Sequence, residues 1–280
     1  MNIIKTLPEL TFERMNECTN KLAPQLLRSV RAIYGSKPNG TPVHIGSCVA
    51  ITFQSQKYLI TAAHVLDENE NTSLYVSGES ELILIESEAL VTTPIEGKRE
   101  DDVIDFAIII LSESLQNQIG NIEYITEDNM LLDEIRHNDR HCLVLGYPNS
   151  KNKFNPTTGT NLKETPFIYS SYLKSNADIH MQTGTSPANH YLLDFCKKHS
   201  KDENNKTVNS IYPRGVSGGG LFQIEGMTNP NSYKPETPCH SKLIGILIEF
   251  KKSKKVLVFT KLKVIITALI IQTEKSIAGK

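Results

Sequence analysis

From Ser29 onward the chain alternates short apolar runs with polar turns. RSVRAIYG, HIGSCVAITF, KYLITAA, SLYVS, ELILIES, DFAIIILS and CLVLGYP are rich in β-branched residues and are separated by Gly, Pro, Asn, Asp or charged clusters. Runs of that length, with no long helical pattern between them, predict an all-β protein of the barrel or sandwich kind. The stretch 149–210 reads differently. NSKNKFNPTTGTNLKET and KKHSKDENNKT are polar and turn-rich, and predict surface loops flanking one or two strands. Strand patterns return in LFQIEG, KLIGILIEF and KVLVFTKL. Helical spacing occurs at both ends: Leu10, Met15 and Leu22 near the start, with Thr11 as candidate cap, and Leu262, Ile265, Ile266, Leu269 and Ile270 near the finish. The latter set predicts an amphipathic helix docked on the sheets. No repeat of solenoid period is visible.

Composition narrows the function classes. A chain of 280 residues supports a large core and about two domains. Its net charge of −1 argues against a nucleic-acid binder or a charged membrane-surface protein, and no Trp is present to build a base-stacking platform. Lys5, Pro8 and Glu9 break the N-terminal apolar run, which does not read as a secretory signal. The apolar run Val264 to Ile271 is too short to span a bilayer. A soluble, unexported protein is expected. Five scattered cysteines (18, 48, 142, 196 and 239) suggest reduced thiols in a cytosol rather than a disulfide framework. Cys196-x-x-His199 and Cys239-His240 lack the repeated spacing of a zinc site, so no metal is expected.

The segment PRGVSGGGLF, residues 213–222, sets one serine among four glycines. As a phosphate cradle it lacks the Lys-Ser/Thr that follows the last glycine of a P-loop. It matches the G-x-S-x-G elbow, but that fold needs an acid and then a histidine after the serine, and opens a helix. No Asp follows Ser217, His240 is the only later histidine, and LFQIEG reads as a strand. Upstream, KYLITAAHVLDE places His64 after an apolar strand and two small residues, and DDVIDFAIIIL places Asp105 at the mouth of another. The three residues are separated by 41 and 112 positions (105 − 64 and 217 − 105).

The order His64, Asp105, Ser217, carried by Thr61-Ala62-Ala63-His64, Asp105-Phe106-Ala107-Ile108 and Gly215-Val216-Ser217-Gly218-Gly219, resembles that of the trypsin/chymotrypsin-like serine peptidases. CLVLGYP, LIGILIEF and VFTKL echo it, and the resemblance covers roughly residues 28 to 272. It implies two six-stranded antiparallel β-barrels, 28–130 carrying His64 and Asp105 and 131–280 carrying Ser217 and a C-terminal helix, behind an N-terminal helical extension at 1–27. It implies a serine endopeptidase without cofactor, acting on a protein or peptide substrate. Ser217 would be the nucleophile, His64 its base and Asp105 the residue that orients the base, with an oxyanion hole from the N–H groups of Gly215 and Ser217.

The departures from that family also carry expectations. Val216 stands where zymogen-activated members have an Asp, and Val65 where secreted members often have a disulfide cysteine. Both departures imply a cytoplasmic, bacterial home. Control would fall to a regulatory partner acting through 1–27 or 149–210, as in trypsin-like antiphage effectors. At the specificity pocket, Ile211, Ile248, Glu249 and Phe250, with Leu257 where an open pocket has glycine, imply a shallow slot for small or medium apolar residues. Glu249 leaves a basic preference open. The reading from another class is a non-catalytic scaffold that keeps the fold for protein binding.

Overall fold

The structure is a computed structural model that describes residues 5–94, 97–135, 140–153, 164–174, 176–198, 200–201, 207–227, 230–234 and 237–278. Much of the two polar stretches lies outside these residues, as does His199.

The first half begins with helix α1 (Leu7–Leu26) and continues through β1 (Val30–Ser36), β2 (Pro42–Phe53), β3 (Gln56–Thr61) and the short helix α2 (Ala63–Asp67). Strands β4 (Tyr75–Ser77), β5 (Leu82–Leu84), β6 (Ala89–Val91) and β7 (Ala107–Ile110) and helix α3 (Glu113–Ile119) complete it. Its strands form one antiparallel sheet in the order β5-β4-β1-β2-β3-β7-β6. That is seven strands rather than six: Ala89–Val91, a run too short to stand out in the sequence, pairs with β7 as an extra edge strand.

The continuous run AIII of β7 is explained by burial on both faces. Ile108 packs with Val30, Val49 and Ile60, and Ile109 with Cys48, Leu59 and Val76. Side chains alternate across a strand, so adjacent isoleucines serve two different clusters.

The second half contains β8 (His141–Gly146), β9 (Phe167–Lys174), helix α4 (Ala177–Thr183) and β10 (His190–Asp194). A two-stranded ribbon, β11 (Ser200–Lys201) and β12 (Thr207–Val208), precedes β13 (Gly220–Ile224), β14 (Ser241–Lys251), β15 (Val256–Lys261) and helix α5 (Leu262–Ala278). Six of these strands close as the barrel β10-β15-β14-β13-β8-β9, filled by Val144, Leu193, Leu221, Leu257 and Phe259. The stretch 149–210 is therefore more ordered than its polarity suggests. It supplies two barrel strands and α4, whose Asn176 cap accepts from the Asp178 N–H at 2.8 Å. With one closed barrel, a second antiparallel sheet and a helix at each end, the architecture is chymotrypsin-like.

Both terminal helices pack on one cluster shared by the two halves. Met15 and Leu22 of α1 and Leu262, Ile265, Ile266 and Leu269 of α5 join Val49, Leu145 and Phe222 there. The cap of α1 is Thr6, not Thr11: the Thr6 N–H donates to the Glu9 carboxylate at 2.8 Å, whereas the Thr11 hydroxyl donates back to the Leu7 carbonyl. The expectation of reduced thiols is also corrected, because Cys18 and Cys239 form a disulfide. Arg14 reinforces that junction by donating to the carbonyls of Thr237 and Pro238 at 2.8 and 3.0 Å. With one pair bridged, the cysteines no longer argue for a reducing compartment. Cys48 is a buried thiol, pushed up to about 12 chiefly by burial. Among the described residues, no helix is long and apolar enough to cross a membrane.

Candidate active site

Strand β3 ends in Thr61, and the fully buried Ala62 and Ala63 carry the chain into α2. Small side chains allow that tight approach, which sets His64 in the first turn of α2. Asp105 arrives from a turn built by Asp102, whose Oδ1 accepts the N–H groups of Ile104 and Asp105, each at 3.1 Å. The turn leaves Asp105 at φ +40°, a left-handed conformation that costs energy for any residue with a Cβ. The second half of the molecule holds it there. His190 Nε2 donates to the Val103 carbonyl at 2.6 Å, and the Thr260 hydroxyl donates to the Ile104 carbonyl.

The resulting geometry joins His64 and Asp105 twice. Asp105 Oδ1 accepts the His64 backbone N–H at 2.9 Å, and Asp105 Oδ2 lies 2.6 Å from His64 Nδ1. Burial works against a charged ring, but the hydrogen bond and charge of Asp105, aided by Asp67, outweigh it. The imidazole therefore titrates above its ordinary value. Beside this pair, Arg99 bridges Asp67 and Asp102, tying α2 to the Asp105 turn.

Ser217 sits in a turn pinned on both sides of the serine. Val216 N–H donates to the Pro213 carbonyl at 3.1 Å, Gly218 N–H to Leu247 at 2.7 Å, and Gly219 N–H to Val216 at 2.8 Å. The Ser217 carbonyl accepts the Ser47 N–H at 2.7 Å, which laces the turn to the first sheet. Gly218 has φ +85°, and a Cβ there would fall 1.8 Å from the Ser47 carbonyl oxygen. Among the described residues, the N–H groups of Gly215 and Ser217, on either side of Val216, have no acceptor.

His64, Asp105, Gly215 and Ser217 all line one cavity of about 1220 Å³. Among the described residues no hydrogen bond joins the Ser217 hydroxyl to the His64 ring.

Ile248, Glu249 and Phe250 line the same cavity. Ile211 packs instead against the barrel core, and its neighbour Tyr212 takes the wall position. Phe250 is in a ring cluster with Phe195 at 5.1 Å and Tyr212 at 5.7 Å between centroids. Leu257, paired with Phe250 across β14 and β15, is fully buried beneath it. Glu249 is engaged by Lys251 at 2.6 Å. The sequence reading missed Tyr212, Phe195, Arg99 and Asn149, each of which lines the cavity or packs beside it. None carries a motif, and they converge only when the barrel closes. Of the residues weighed for zinc, Cys239 is in the disulfide and Cys196 is exposed.

No protein-family model matches the chain, and no curated protein matches it in sequence. Among solved structures the fold is similar to that of GrC, with a TM-score of 0.52 and 14% identity over 88% of this chain and 94% of that one. The serine protease domain of the Sesbania mosaic virus polyprotein aligns with a TM-score of 0.45 and 10% identity, over 82% of this chain and 88% of its own. The tobacco vein mottling virus protease aligns with a TM-score of 0.44 and 11% identity, over 85% and 78%. At such identities the likeness concerns the fold alone.

Proposed function

We propose that the chain is a serine endopeptidase. The observation that carries this reading is the doubly hydrogen-bonded His64–Asp105 pair opening on the same cavity as Ser217 and two N–H groups that have no acceptor among the described residues. Asp105 is an acceptor, so His64 keeps its proton on Nδ1 and leaves Nε2 as the base. Rotation of the Ser217 side chain toward Nε2 lets the ring take the hydroxyl proton as oxygen attacks a peptide carbonyl. The same ring then returns the proton to the leaving amine. The negative charge that builds on the carbonyl oxygen meets the Gly215 and Ser217 N–H groups, which need no reorganisation to receive it.

Substrate choice follows from the aromatic floor. Phe250, Tyr212 and the underlying Leu257 leave a slot that suits a small or medium apolar side chain before the scissile bond. The bond between Glu249 and Lys251 weakens the case for a basic one. With Val216 beside the serine, control belongs to a regulatory partner rather than to a newly freed N-terminus.

Labelling with a fluorophosphonate probe tests the reaction. Ser217 is expected to label, Ser217→Ala to lose the label and His64→Ala to lose most of it. Absence of labelling in the wild type, alone or with candidate partners, would instead mark a binding scaffold. Free digestion of casein by the purified chain would count against control by a partner.

A further inference from the structure

The residue that crowds Gly215 is Asn149, from the turn after β8. Gly215 has φ +88°, and a Cβ there would lie 1.8 Å from Asn149 Oδ1 and 2.9 Å from the Asn149 backbone nitrogen. The Asn149 N–H donates at 2.9 Å to the carbonyl of Arg214, which belongs to the same peptide unit as the Gly215 N–H. In a planar trans peptide the C=O and N–H point in opposite directions. Fastening the carbonyl to Asn149 therefore aims the Gly215 N–H the other way.

Asn149 is itself held from the opposite half of the molecule. His44, at the start of β2 and only 5% exposed, places Nδ1 2.6 Å from Asn149 Oδ1. An amide oxygen only accepts, so Nδ1 carries the proton. The other ring nitrogen, Nε2, is then a bare acceptor, and it is buried with no partner among the described residues. A buried acceptor left unpaired costs stability and calls for an explanation. Burial favours the neutral ring this arrangement needs. Tyr34 fixes the ring plane by an edge contact at 5.4 Å between centroids.

We propose that His44 and Asn149 are positioning residues that lock the Arg214–Gly215 peptide with its N–H facing the cavity, so that one oxyanion donor depends on a clamp between the two halves of the fold. The inference rests on the peptidase reading for its consequence in rate, but the peptide orientation stands independently of that reading.

The test compares Asn149→Ala, His44→Leu and His44→Asn with wild type, the last restoring a donor near the Nδ1 position. The measurements are the second-order rate of Ser217 labelling by a fluorophosphonate, the kcat and KM for a cleaved peptide, and the crystal structure of the 213–219 turn. Asn149→Ala and His44→Leu are expected to slow labelling and lower kcat at least about tenfold, since loss of a donor costs about 10²–10³. KM should stay near the wild-type value, His44→Asn should recover part of the rate, and the 214–215 peptide should rotate in the two damaging variants.

Labelling of both at the wild-type rate with an unrotated peptide would overturn the clamp. Should His44→Leu not fold, Asn149→Ala, at a half-buried position, carries the test alone. Should wild type not label, the peptidase reading fails, and the orientation of the 214–215 peptide in Asn149→Ala still decides whether the clamp exists.

Discussion

His64 Nδ1 and Asp105 Oδ2 lie 2.6 Å apart, and the other oxygen of the same carboxylate takes the His64 backbone N–H at 2.9 Å. Two contacts from one carboxylate fix both the place and the plane of the ring. Against the cost of burial, the ring hydrogen bond and the charge of Asp105 favour the protonated ring, and Asp67 adds to the effect.

The rate should therefore rise with pH. A base must be neutral, so kcat/KM is expected to climb through a midpoint above 6.5, the ordinary histidine value. In Asp105→Asn the midpoint should fall, because the negative charge that favours the protonated ring is gone, and the rate should drop by about 10⁴-fold. A pH–rate profile of the two proteins checks this. An unchanged midpoint would show that Asp105 does not govern the ring.

Gly215→Ala should be costly twice over. The backbone conformation at φ +88° disfavours any side chain, and the new methyl would collide with Asn149. Unfolding in urea is expected to show a loss of about 1–3 kcal/mol. Labelling of Ser217 should slow by about 10²-fold or more, as for loss of one oxyanion donor.

Phe250→Ala should open the floor of the slot by removing the ring that meets Phe195 and Tyr212. Cleavage of a peptide library is expected to shift from small residues before the scissile bond toward Leu and Phe. An unaltered profile would place the specificity pocket elsewhere in the cavity.

His141 should make the protein sensitive to mild acid for a reason unrelated to catalysis. It is 6% exposed, neither ring nitrogen has a hydrogen-bond partner among the described residues, and burial lowers it to about 4 from 6.5. A group depressed in the folded state contributes stability above its unfolded value, and that contribution is lost as pH falls from 6.5 toward 4. Lowering the pH from 7 to 5 should cost about 2 kcal/mol through this residue. Urea unfolding of His141→Leu at both values checks it: the variant should lose less than wild type.

Much of the strand inventory was legible because β-branched runs broken by turn residues leave few alternatives. DFAIIILS became β7 and KLIGILIEF became β14. That His64, Asp105 and Ser217 would line one cavity was legible through their neighbours, since two alanines, a strand mouth and a glycine-rich turn are local signals. What escaped was tertiary. Ala89–Val91 is a strand only because β7 offers it an edge. Phe195, Tyr212 and Phe250 share a cluster only after the barrel closes. His44 and Asn149 are 105 positions apart and meet across the interface of the two halves. The bridge between Cys18 and Cys239, 221 positions apart, has no local spacing that could announce it.

That bridge also governs how damage to the chain would look. It turns residues 18–239 into a covalent ring, and His64, Asp105 and Ser217 all sit on the ring. A single backbone cut anywhere inside it, including one the protein made in itself, leaves the fragments joined at unchanged mass apart from one added water. Gels run without reductant would show an intact species, and self-processing would be seen only after the sulfur bond is opened.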